Sequence, residues 1–158
     1  MVELDEKHYA ATVYVISKEM PRKILLVHHK KFNKWMPPGG HEELLENSYE
    51  AAIREVFEET GIDIKNYMPE ATKLDDRAIS LPRPEFILQE KIEAHGGHPE
   101  HYHLDMVYIV KVPMQEVKHQ ESESHGIKWF SQEEVKKIDT FDNVKIVLGK
   151  ILDNDSNA

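Results

Sequence analysis

The chain has 158 residues, 40% apolar and 31% charged, the proportions of one globular domain rather than a disordered segment. Its 29 acids against 20 Lys and Arg give a net charge of −9. That balance argues against nucleic acid or an anionic membrane as partner, while a small anionic ligand stays open if a cation mediates the contact. There is no cysteine, so disulfides, thiolate zinc sites and thiol catalysis are excluded.

The first residues, MVELDEKHYAA, are acidic and unlike a secretory leader, and no apolar run approaches the length of a spanning helix. The expected location is therefore cytoplasmic. YAATVYVIS (9–17) and RKILLVHHK (22–30) are β-branched and apolar runs split by EMPR, which predicts two strands and a hairpin-like turn. KWMPPGGH (34–41) predicts a short strand running into a tight Pro-Gly loop, where Gly39 and Gly40 permit a positive φ.

Asn47 then stands as an N-cap, with Glu50 in capping-box position. The helix after it sets Tyr49, Ala52, Ile53, Val56 and Thr60 on one stripe, the face that packs on a core, and Gly61 marks its stop. Glu55, Glu58 and Glu59 fall on a neighbouring arc. Like charges at that spacing cost about 0.2–0.5 kcal/mol per pair, and they lie towards the negative end of the helix dipole. Something outside the helix has to offset this repulsion.

Downstream, 72–81, 85–94, 103–112 and 125–131 predict four more strands. Residues 131–138 predict a short helix capped by Ser131, and 141–152 an amphipathic one. A single domain is expected over 1–153, with a flexible tail at 154–158. This order predicts an α/β architecture, a mixed sheet between helical layers.

Three features lie outside the acidic helix. HGGHPEHYHLD contains His95, His98, His101, His103 and Asp105, and alternation places 101, 103 and 105 on one face of an extended strand. These imidazoles fit a solvated loop, a wall touching the phosphates or base of a substrate, or a transition-metal site. Trp35 and Phe32 flank the Pro-Gly loop, where an aromatic stacks on a nucleobase or completes the core. The basic run HHKKFNK (28–34) is placed either to screen substrate phosphates or to solvate a strand end.

Gly40, five residues, Glu46, seven residues, then Arg54-Glu55-Val56-x-Glu58-Glu59-x-Gly61-Ile62 resembles the Nudix box with every defining position filled. The resemblance implies a Nudix-type α/β/α sandwich that cleaves the diphosphate linkage of a nucleoside di- or triphosphate derivative by water attack. It implies a divalent cofactor, Mg2+ with Mn2+ as a possible substitute, and a small nucleotide as substrate, on a monomer or homodimer. Magnesium takes hard oxygen ligands and suits a few carboxylates plus phosphates. The acids then repel one another only while no cation is bound.

The resemblance further implies Glu55, Glu58 and Glu59 as metal ligands, with the Gly39 carbonyl as another. Glu55 and Glu58 carry the catalysis, and Glu55 is either a ligand or the general base. Arg54, also of the catalytic group, is expected to pair with a helix acid or with Glu46 and orient the carboxylates. Glu123, in the loop QESESHG, is a further ligand or base candidate, and Trp35, His101, His103 and Glu123 are the substrate-side candidates. The competing expectation is a nucleotide-binding sensor on the same fold that does not turn over; a third is a protein whose function lies in the histidine-metal segment 95–105. An isoprenoid-diphosphate isomerase relative is excluded, because it needs a cysteine.

Overall fold

The structure is a computed structural model that describes residues 6–156. A seven-stranded mixed sheet is built around β1 (Lys7–Ser17). β1 runs parallel to β8 (His101–Val112) along its whole length, from Lys7↔Tyr102 to Ser17↔Val112. Its other edge is shared: the C-terminal end pairs antiparallel with β2 (Lys23–His29) and the N-terminal half with β4 (Gly39–His41). β2 carries β3 (Lys34–Met36) on one edge and β9 (Ser124–Ser131) on the other, while β7 (Phe86–Ile92) closes the far side antiparallel to β8.

Period-2 alternation divides this sheet into two faces. Ala11, Val13 and Val15 point to α1 (Ser48–Thr60) and pack with Ala52, Val56, Tyr108 and Val110. Tyr14 and Ile16 point the other way and pack with Val144, Leu148 and Ile151 of α3 (Asp142–Ser156). The expected sandwich of helical layers around a mixed sheet is therefore present. Among the described residues no helix is long and apolar enough to cross a membrane.

α1 starts and stops on the residues its sequence predicts. Asn47 Oδ1 accepts the Glu50 amide at 2.9 Å, and Gly61 takes the left-handed conformation at φ 78° with its amide on the Phe57 carbonyl. The reciprocal half of the expected capping box is not made, because the Glu50 carboxylate engages the Asn47 side-chain amide instead. A full box forms at α2 (Gln132–Val135), between Ser131 and Glu134, although that helix is shorter than the expected 131–138.

Two further expectations change. Residues 72–81 are not one strand but a small separate hairpin, β5 (Thr72–Lys73) against β6 (Ile79–Ser80). Asp75 Oδ1 accepts the Arg77 amide at 2.8 Å, and this Asx turn folds the run back on itself. At the C-terminus, α3 continues through 154–156, where a flexible tail was expected. Asp155 accepts from Arg22 Nε at 2.7 Å and also pairs with Lys111, joining that last turn to the sheet. The rest of the expected tail, 157–158, lies outside the described residues.

Asn47→Ala should lower stability by about 1 kcal/mol through the lost cap, read as a shift of the urea midpoint at unchanged slope.

Candidate active site

The acidic arc of α1 lies against β4, and Arg54 is its organiser. Its Nε and Nη2 donate to the two Glu46 oxygens at 2.8 and 2.9 Å, a bidentate pair. Nη1 donates to Glu55 at 2.9 Å and to Glu58 at 3.2 Å, and Nη2 also donates to the His41 carbonyl at 3.0 Å. The ion pair expected of Arg54 thus engages both Glu46 and the helix acids at once.

Glu55 and Glu59 are buried, whereas the Glu58 side chain is 43% exposed. Burial pushes the Glu59 carboxyl well above the usual carboxylate range, and the charge of Glu55 adds to the shift. Burial raises Glu55 as well, opposed by the Arg54 guanidinium. The exposed Glu123, in the turn before β9, pushes Glu59 further in the same direction. Arg54 offsets part of the repulsion within the helix, and burial disfavours charge on Glu59. These clustered carboxylate oxygens fit a hard divalent cation.

The two glycines before the helix have a different reason from the one expected. Neither has a positive φ; both belong to β4 and pair with β1 at Thr12 and Ala11. What they need is space. A Cβ on Gly40 would stand 2.4 Å from Glu55 Oε1, and one on Gly39 would stand 2.4 Å from the Ala11 carbonyl oxygen. Gly40 therefore lets a buried carboxylate lie directly against the strand.

From Gly39, Gly40 and Glu59 a cleft of about 260 Å3 opens along the α3-facing side of β1, β8 and β7. Lys31, Phe32, Thr12, Glu90, His101, His103 and Asp105 are among the residues that line it. The alternation predicted for HYHLD is observed, since His101, His103 and Asp105 all line this cleft. Asp105 is buried; its Oδ2 accepts from Thr12 Oγ1 at 2.7 Å, and its carboxyl also shares a side-chain hydrogen bond with Glu90. Beside it the half-buried Glu90 is pushed up to about 8, first by burial and then by Asp105. His103 is pushed down to about 3 by burial and by the neighbouring imidazoles of His41, His101 and His8.

Trp35 is not among the residues lining the cleft. Its indole packs edge-on against Phe130 at 4.8 Å and against His28 at 5.1 Å, in the layer under α3. Phe32, the other aromatic of that pair, does line the cleft. His8, His41, Thr12 and Glu90 are absent from the sequence expectations. They come from three strands and converge only through sheet register, so no local spacing announces them.

The fold and its acidic helix are those of one family: the NUDIX domain profile matches residues 6–148, and the chain belongs to the Nudix family. Over 58 residues it is 41% identical to an m7GpppN-mRNA hydrolase, NUDT17, of Xenopus laevis. That segment covers 34% of this chain and 20% of the relative, so the chain spans a small part of the curated relative's length. A NUDIX-family hydrolase from Clostridium perfringens superposes with a TM-score of 0.69 at 27% identity, covering 92% of this chain and 96% of that one. The Ap4A hydrolase of C. elegans shares the fold, with a TM-score of 0.62 at 22% identity over 94% and 99% of the two chains.

The Glu90 carboxyl has a consequence for stability against pH. It holds its proton in the folded chain up to about 8, but loses it near its ordinary 4.5 when unfolded. Stability from this group is complete below the unfolded value and lost as pH rises to about 8. Glu90→Gln should flatten that decline, measured as the difference in urea midpoint between about pH 5 and about pH 9. An unchanged difference would show that Glu90 does not carry the proton.

Proposed function

We propose that this chain is a metal-dependent hydrolase that cleaves the diphosphate linkage of a nucleoside di- or triphosphate derivative by attack of water. The observation that carries the reading is the Arg54-centred carboxylate cluster of a complete box, opening at Gly39 and Gly40 into a cleft. The names of the relatives, an m7GpppN-mRNA hydrolase and an Ap4A hydrolase, support a nucleotide substrate.

Glu55, Glu58 and Glu59 would hold Mg2+, or Mn2+ in its place, with the Gly39 carbonyl as a further oxygen. When bound, the cation neutralises diphosphate charge and lowers the pKa of water. The protein's own part is to place oxygens and move protons. Glu55 serves either as a ligand of that cation or as the general base that takes a proton from the attacking water. Arg54 acts as a positioning residue, fixing Glu46, Glu55 and Glu58 relative to β4. Glu123 adds negative charge from the facing turn. The nucleotide lies along the cleft, with Phe32 available for stacking, Lys31 for phosphate, and His101 and His103 forming the wall.

The direct test is product release from a panel of triphosphates, sugar-linked diphosphates and dinucleotides, each with and without magnesium. Hydrolysis that needs the metal and concentrates on one class supports the reading and names the substrate. Nucleotide binding by folded protein without any release would mark a sensor instead.

Glu58→Gln should abolish most turnover while changing stability by less than about 1 kcal/mol, because its pair with Arg54 is partly solvated. Full turnover in this variant, or its unfolding, would remove Glu58 from the metal site. Gly40→Ala should also lose most activity, because the new Cβ displaces Glu55, and its circular dichroism should stay native.

A further inference from the structure

We propose that His8, His41, His101 and His103 form a second metal site, distinct from the carboxylate cluster, that takes a transition-metal dication of the zinc class. Each ring offers one nitrogen, and these four nitrogens lie within 4.8 Å of one another. Zn2+ binds imidazole at about 2.0–2.1 Å, which sets tetrahedral nitrogens about 3.3 Å apart. Binding an ion would draw the four nitrogens in from a spread of up to 4.8 Å. The Nε2 atoms of His41 and His103 are 2.8 Å apart and share a hydrogen bond, whose proton a common ion would replace.

The surroundings have the form of a ligand shell. Metal-binding histidines donate their second ring N–H to a carbonyl or carboxylate, which fixes the tautomer. Nδ1 of His101 lies 3.0 Å from the Pro99 carbonyl, leaving Nε2 with its lone pair. A Glu6 carboxylate oxygen lies 3.2 Å from Nε2 of His8, leaving Nδ1 free to ligate. Four imidazoles crowded together cannot all carry charge, and neutral rings are what a metal requires.

The ligand chemistry separates this site from the first. Imidazole nitrogen selects zinc, copper or nickel, whereas the α1 carboxylates select magnesium or manganese. Four protein ligands make a closed site, structural rather than catalytic. His8 lies on β1, His41 on β4, and His101 and His103 on β8, so one ion would clamp three strands of the cleft wall. The proposal stands apart from the hydrolase reading, and its test needs no turnover.

The test is to strip the tag-free full chain with chelator, load it with zinc alone, dialyse, and measure metal by elemental analysis, with Co2+ loaded in parallel for its visible spectrum. The expected result is one zinc per chain surviving dialysis, a raised Tm, and the intense absorption of tetrahedral cobalt. His41→Asn, at an exposed position, and His103→Gln should each lower zinc affinity by an order of magnitude or more, while Glu58→Gln keeps it. Zinc binding lost in Glu58→Gln but kept in both histidine variants would overturn the proposal, as would folded wild-type chain that retains no zinc.

Discussion

One guanidinium holds the acidic centre together. Arg54 meets Glu46 from the loop before the helix, Glu55 and Glu58 from the helix itself, and the His41 carbonyl from β4. Two of its bonds form a bidentate pair, which fixes direction as well as charge. Its ion pairs reach four carboxylates, Glu43, Glu46, Glu55 and Glu58, with Glu59 next to Glu55, and a single cation cannot neutralise them all. Burial raises the Glu59 carboxyl well above the usual carboxylate range, so charge is disfavoured there. The helix tolerates acids where its dipole disfavours them because the compensation comes from a different part of the chain.

The sheet supplies that geometry by dividing its faces. Odd-numbered residues of β1 from Ala11 to Val15 pack under α1 and brace the acidic helix from behind. Tyr14 and Ile16 pack under α3, but the N-terminal part of the same face, with His8 and Thr12, belongs to the histidine cluster and the cleft. The same alternation that builds core at one end of the strand builds a polar wall at the other.

β4, three residues long, couples the two halves of the site. Gly40 makes room for Glu55, the His41 carbonyl receives Arg54, and the His41 ring meets His103. Carboxylate oxygens thus lie on one side of this short strand and imidazole nitrogens on the other. The two donor sets differ in softness, so they are suited to different cations.

Features that depend on short-range periodicity and spacing are legible in the residues alone. The limits of α1, its Asn47 cap, its Gly61 stop and the common face of His101, His103 and Asp105 follow from offsets within one element. The gathering of Glu55, Glu58 and Glu59 is likewise a property of a 3.6-residue repeat. Only the tertiary structure decided that Gly40 is needed for space and not for φ, because the clash is with a residue fifteen positions away. Only it turned Trp35 into the layer beneath α3, brought Glu90 beside Asp105, and assembled four histidines from three strands. The physical reason is register: hydrogen bonding between distant strands sets which side chains become neighbours, and that pairing is stored in no local pattern.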